Sequence, residues 1–153
     1  EIYYRSVGRN GLLLLNLPPD RRGLIHETDS AHLVEFKSMI DRIFDEDLAE
    51  GVPLRILNRS GYALEAELQL DRPETIDHIV LSEPIAQGQR VSRFRVEAET
   101  TPGEWTEIAS GTTIGYKRIL RTDPVTAATI RIRVEEALHP PESLGMELYN
   151  SLE

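Results

Sequence analysis

Residues 8–23, GRNGLLLLNLPPDRRG, restrict the fold more than any other stretch of the sequence. Four consecutive leucines, Leu12, Leu13, Leu14 and Leu15, stand between a glycine turn and a double proline. The run is too short for a buried helix and does not alternate, so it reads as a strand buried on both faces. Such strands belong to parallel sheets covered by helices. Asn16 ends the run. Pro18 and Pro19 donate no backbone N–H, so neither helix nor strand ladder continues through them, and Asp20-Arg21-Arg22-Gly23 reads as a surface loop. A parallel strand cannot stand alone, so the question is what buries the leucines and whether this chain encodes it.

A helix follows the loop, with Thr28 or Asp29 as its expected N-cap. Leu33, Phe36, Ile40 and Ile43 recur at helical spacing, and Phe44 widens the stripe. Gly51 and Pro53 close the segment. After Pro53 the period changes. Tyr62, Leu64, Ala66, Leu68 and Leu70 alternate with Ala63, Glu65, Glu67 and Gln69, the pattern of a half-buried strand. Residues 76–81, 91–98, 105–109, 114–120, 129–134 and 144–149 look similar. Turn signals at Arg72-Pro73, Gln87-Gly88, Pro102-Gly103, Ser110-Gly111, Asp123-Pro124 and Pro140-Pro141 separate them. About seven short strands so spaced predict an antiparallel β-sandwich. The expected organisation is a strand-loop-helix unit over residues 1–50 and a sandwich over residues 51–153.

Composition removes several classes of function. The net charge is −9, with six basic against ten acidic residues in 1–51 and eleven against sixteen in 52–153. No basic stretch dominates, so nucleic acid is not an expected partner. The longest purely apolar run is the leucine quartet, so no helical membrane span is expected. The absence of cysteine excludes disulfides and thiolate chemistry. His26-Glu27 begins a zinc pattern, but position 30 is serine and His32 falls outside the His-Glu-x-x-His spacing. No metal and no cofactor is expected. The opening EIYYRSVGRNG is already patterned, which reads as a piece of a longer polypeptide.

Taken in order, SVGRNGLLLLNLPPDRRGLIHETD, the amphipathic helix, VLSEPIAQGQRVSRFRVEAE, the tryptophan and SGTTIGYKRILR resemble the C-terminal part of an α-L-fucosidase of glycoside hydrolase family 29. The resemblance implies the end of a (β/α)8-like catalytic barrel followed by a galactose-binding, discoidin-like β-sandwich. It also implies an exported protein, an upstream catalytic-barrel portion as partner, fucosylated glycans as substrate, and retaining hydrolysis by an Asp nucleophile and a second carboxyl. No acidic residue here occupies a matching catalytic motif, so no catalytic residue is carried over. One departure stands out. The family's early sandwich portion, with its Asp-Gly turn and Thr-x-Trp-like segment, has no counterpart between Asp47 and Gly61. Either the sandwich is shortened or residues near 51–56 are missing.

Barrel sites gather at the C-terminal ends of strands. Asn16, Asp20 and Arg21 are therefore the substrate-binding candidates of the first unit, against the plainer reading of a strand end and a solvated loop. Trp105, the single tryptophan, is either a sugar-stacking platform or part of the sandwich core. Arg90, Arg93 and Arg95, and separately Arg131 and Arg133, are expected on faces opposite the apolar one. There they are paired with Glu97 and Glu135 or poised to contact an anion. Lys117 and Arg118 are expected on an exposed strand face or against the barrel.

Overall fold

The computed structural model describes residues 1–151, with Gln87 in its backbone alone. Two helices, α1 (Ile2–Arg5) and α2 (Glu27–Ile43), precede six strands: β1 (Arg55–Ser60), β2 (Ala63–Ser82), β3 (Val91–Thr101), β4 (Glu104–Gly111), β5 (Arg118–Ala137) and β6 (Gly145–Tyr149). All pairings are antiparallel, in the order β1-β2-β5-β3-β4, with β6 on the second half of β2.

The alternation of residues 62–70 and the strand at 76–81 are two halves of one 20-residue strand, β2. Likewise, the expected strand at 129–134 lies within β5, which starts at Arg118 and takes in only residues 118–120 of the strand expected at 114–120; residues 114–117 are loop. The expected turns at Arg72-Pro73 and Asp123-Pro124 are therefore not turns. Pairing of β2 with β5 jumps from Gln69↔Thr129 to Glu74↔Ala127, and again from Ile76↔Val125 to His78↔Arg121. Pro73 lies in the first irregularity and Pro124 in the second, where no ladder N–H is required of them. Such bulges bend a strand without ending it. They let β2 and β5 pass from one layer, shared with β1, β3 and β4, into a second layer shared with β6. Strand β1 was not expected; its residues are all exposed, so it carries no alternating apolar signal.

The two layers enclose one apolar cluster. Leu64, Ala66, Leu68, Val96, Ile130 and Ile132 come from the first layer, and Ile79, Leu81, Leu120 and Leu148 from the second. Most of β2 between Ile76 and Leu81 is buried on both faces. Its outer face carries a smaller cluster of Val80, Ile119 and Tyr149, covered by Tyr3, Tyr4 and Phe44.

The leucine quartet differs from expectation. No strand forms there, and Leu12 and Leu14 are 90% and 86% exposed. A strand needs a neighbour to complete its ladder, and among the described residues no strand pairs with them. Helix α2 forms as its stripe predicts, but its cap is His26, whose Nδ1 accepts from the N–H of Thr28 at 3.2 Å. Thr28 and Asp29 already lie within the first turn. Leu33, Phe36, Ile40 and Ile43 are its half-buried apolar positions, and none of its residues is fully buried.

Candidate functional site

The N-terminal segment and the loop before β5 meet at a built seam. Gly8-Arg9-Asn10-Gly11 docks on the loop before β5. The N–H of Ile119 donates to the Gly8 carbonyl at 3.0 Å, and the N–H of Asn10 to the Lys117 carbonyl at 3.2 Å. The Asn10 side chain donates from Nδ2 to the Ile114 carbonyl at 2.9 Å and accepts from the N–H of Lys117 at 2.8 Å. Asn10 adopts φ 67°, the left-handed region that asparagine tolerates best after glycine. The sequence blocks GRNG and TIGYKR, about a hundred residues apart, are thus two sides of one contact.

The loop is held from its other side by Glu83. Its carboxylate accepts from the N–H of Gly115 at 2.7 Å, of Arg90 at 3.0 Å and of Val91 at 3.2 Å. A buried carboxylate stands here for peptide partners that an irregular loop cannot supply to itself. Nearby, Asp47 Oδ1 accepts from the N–H groups of Ala49 and Leu148, both at 2.9 Å, and Ala49 is part of the sandwich core. Sequence reasoning missed Asn10, Glu83 and Asp47. Only one local signal marked any of them: an acid before proline at the end of the apolar run IVLS.

A second tie runs through Tyr4 of α1 and Phe44, the C-cap of α2. Tyr4 and Phe44 pack on the His78 ring, with centroids 5.6 and 5.8 Å apart. The carboxyl of Asp77 behind it is pushed up by burial, but hydrogen bonds from Ser151 and His78 outweigh that and hold it below its ordinary value. Asp77 is then a carboxylate that only accepts, so the imidazole presents N–H at Nδ1.

The candidate residues after the quartet form a compact loop. Asn16 and Arg21 are exposed. Asp20 is drawn inward to its own loop: its carboxylate accepts from the N–H of Arg22 at 2.8 Å and of Leu24 at 3.3 Å, and pairs with the Arg22 guanidinium at 2.6 Å. The Arg22 side chain, with these N–H groups, holds the Asp20 carboxyl below the usual range. Asp20 is thus a loop organiser, ionised at neutral pH.

Trp105 lies elsewhere, on β4 opposite Glu99. It is half-buried and outside the apolar core, so the core reading is corrected: the ring lies on the outer face of the first layer. The Arg131 guanidinium covers it, 3.6 Å from the centroid, a cation–π stack. No hydrogen bond, ion pair or ring contact joins Trp105 to Asn16, Asp20 or Arg21 among the described residues.

The same outer face carries the arginines in an interlaced ladder. Arg131 and Arg133 reach Glu97 at 2.7 and 3.2 Å and Glu65 at 3.6 and 3.3 Å. Arg95 reaches Glu97 at 3.3 Å and Glu135 at 3.5 Å, and Arg93 reaches Glu135 at 3.0 Å. The expected pairing with Glu97 and Glu135 is present, but the face is not simply solvated: Glu97 and Arg131 are each 8% exposed. Arg90 stands apart because it precedes β3; it pairs instead with Glu142 at 3.1 Å.

Three comparisons bear on this architecture. No family model matches the chain. It is 35% identical to Alpha-L-fucosidase 1 of Arabidopsis thaliana, over 97% of this chain and 35% of that protein. That alignment runs over 177 positions, more than the 153 residues of this chain, so the two differ by inserted stretches. Among solved structures, SpGH29 superposes with a TM-score of 0.87 at 34% identity, covering 97% of this chain and 38% of that one. A glycoside hydrolase 29 family member from an unknown rumen bacterium gives 0.81 at 35% identity, over 99% and 28%. The chain is homologous to the C-terminal part of family 29 α-L-fucosidases and spans about a third of the length of the curated relative.

Proposed function

We propose that this chain is the C-terminal portion of an α-L-fucosidase, a retaining glycoside hydrolase that releases L-fucose from glycans, with its catalytic carboxylates supplied upstream. One observation carries the reading: the exposure of Leu12 and Leu14 on a segment without ladder partners. Burial stabilises a leucine by roughly 1.5–3 kcal/mol, and Leu12 and Leu14, left in water, each forgo most of that. The half-buried stripe of α2 points the same way. An upstream barrel portion supplies both covers, since residues 1–50 hold only the last βα unit of a fold that needs eight strands to close. Residues 51–153 are the sandwich that braces it.

In this reading Asn16, Asp20 and Arg21 stand at the strand's C-terminal end, beside the site where a fucosylated glycan binds. Trp105, half-buried on the outer face, is the candidate stacking platform for a sugar. Retaining hydrolysis requires two carboxyl groups about 5–5.5 Å apart, both from the upstream portion. The seam of Asn10 with the Ile114–Lys117 carbonyl and amide groups holds the last barrel unit in register with the sandwich.

The test is reconstitution. The chain alone is expected to leave an aryl α-L-fucoside intact and to restore hydrolysis when co-expressed with the upstream portion. Intact-mass spectrometry of native material is expected to find the two together. Turnover by the purified chain alone, or a folded complex without turnover, refutes the assignment.

A further inference from the structure

Strand β5 changes neighbours halfway along. Its second half lies between β2 and β3, but its first half pairs with β2 on one side only. On its other side that first half meets only the Arg9–Arg118 bridge, and there it lines, with α1 and residues 108–110 of β4, a cleft of about 730 Å³. Its walls carry four arginines, Arg5, Arg9, Arg118 and Arg121, against two acids, Glu1 and Asp123. Glu1 is already engaged, by Arg5 at 2.9 Å and Arg121 at 2.8 Å. Arg9 and Arg118 have no acid partner among the described residues.

Arg118 is the informative one. It is half-buried, and both burial and the adjacent charge of Arg9 push its guanidinium down from its ordinary value. Its Nε and the Thr122 hydroxyl are buried without a hydrogen-bond partner. A Cβ on Gly111 would stand 2.8 Å from the Phe94 ring and 3.3 Å from Arg118 Nη2, so glycine there leaves the guanidinium its room. Two like charges lining one cleft, with two buried donors unsatisfied behind them, constitute an electrostatic cost, which an acceptor with negative charge at the two guanidinium groups lowers.

We propose that this cleft is a binding site for an oxyanion group, a sulfate, phosphate or carboxylate, held between Arg9 and Arg118. A guanidinium is the side chain best shaped for two parallel bonds to such a group. The volume falls within the range of small-molecule sites, about 300–1,000 Å³, which leaves room for a monosaccharide carrying the anion. The site is separate from the outer face of Trp105 and does not rest on the fucosidase reading.

The test is isothermal titration of the native protein with sodium sulfate, against sodium chloride at equal ionic strength, then with a sulfated monosaccharide and its neutral parent. Saturable sulfate binding is expected. Arg118→Gln is expected to weaken it about tenfold or more, and Arg9→Gln severalfold, while Arg93→Gln on the outer face leaves it unchanged. Arg9 is exposed, so its variant reports on binding even if Arg118→Gln lowers the melting temperature. A sulfated sugar that binds more tightly than both sulfate and the neutral sugar identifies the ligand as an anionic saccharide. Binding no tighter than sulfate identifies a free anion. No saturable binding of either probe, or binding indifferent to both arginine substitutions, overturns the proposal.

Discussion

The hydroxyl of Tyr4 lies 2.8 Å from Nε2 of His78, 74 residues further along the chain. On the other side of that ring, Nδ1 meets Asp77 Oδ1 at 2.7 Å, and Asp77 accepts from the N–H of Ser151 at 2.9 Å. The imidazole and Asp77 together thus link α1, β2 and Ser151, two residues beyond the end of β6. With Nδ1 donating to the carboxylate, Nε2 is the nitrogen left to accept a hydrogen bond from the Tyr4 hydroxyl. The Arg121 guanidinium closes the arrangement from above, 4.4 Å from the Tyr4 centroid.

Tyr4→Phe removes the hydroxyl and keeps the ring. The expected cost is about 1 kcal/mol, felt locally. Hydrogen exchange is expected to speed up at Ile2–Arg5 and stay unchanged in β3 and β4. Unchanged exchange in α1 would place its anchor in ring packing alone.

Acid should loosen the same seam. The folded-state carboxyl of Asp77 sits below its ordinary value of 3.8 because hydrogen bonds from Ser151 and His78 outweigh burial. A depressed carboxyl contributes stability that is full above the unfolded value and is lost as pH falls through the folded one. Urea midpoints are therefore expected to fall below the ordinary carboxylate range, and Asp77→Asn to flatten that part of the profile. An identical slope in the variant would assign the acid sensitivity to other groups.

On the outer face, position within the ladder decides the cost of a substitution. Glu97→Gln removes the charge that faces buried Arg131 at 2.7 Å, and breaking a buried pair from one side costs about 3–5 kcal/mol. Arg93→Gln acts on an arginine whose side chain is 56% exposed and is expected to cost less than about 1 kcal/mol. Chemical denaturation of the two variants side by side gives the comparison.

The seam glycine is equally specific. Gly115 has φ +68°, and a Cβ there would lie 2.6 Å from the Asn10 side-chain amide. Gly115→Ala combines left-handed strain with a displaced Asn10, at an expected cost of about 1–3 kcal/mol. Gly103→Ala, with φ +83° and open space around it, carries the backbone penalty alone and is expected to cost less in the same melt.

The exposed leucines separate folding from assembly. The double variant Leu12→Ser, Leu14→Ser is expected to leave the melting temperature of this chain unchanged, because neither side chain is covered within it. It should lower dye binding to exposed apolar surface. Joined to the upstream portion, the same change is expected to weaken assembly by roughly 1.5–3 kcal/mol per leucine, read as a shift in the concentration needed to restore activity.

How much of this was legible before any coordinates follows from the range of each signal. Helix α2 and the inward rows Leu64-Ala66-Leu68-Leu70 and Ile130-Ile132-Val134 were readable, because hydrophobic period is a property of neighbouring residues. So was the shortage of partners for Leu12–Leu15, since a chain with one such strand has nothing of its own to cover it. The sequence by itself therefore determined helix α2, the buried face of most strands and the family resemblance.

Only the tertiary structure decided the rest. Whether Arg72-Pro73 ends a strand or bends it depends on what lies opposite, and Asp123-Pro124 raises the same question from the partner strand. The place of Trp105 outside the core, the capture of three N–H groups by Glu83 and the meeting of Asn10 with Lys117 all join residues whose spacing carries no local pattern. The physical reason is that periodicity records which side of an element avoids water, whereas register, edges and buried polar ties are set by which distant segment arrives there.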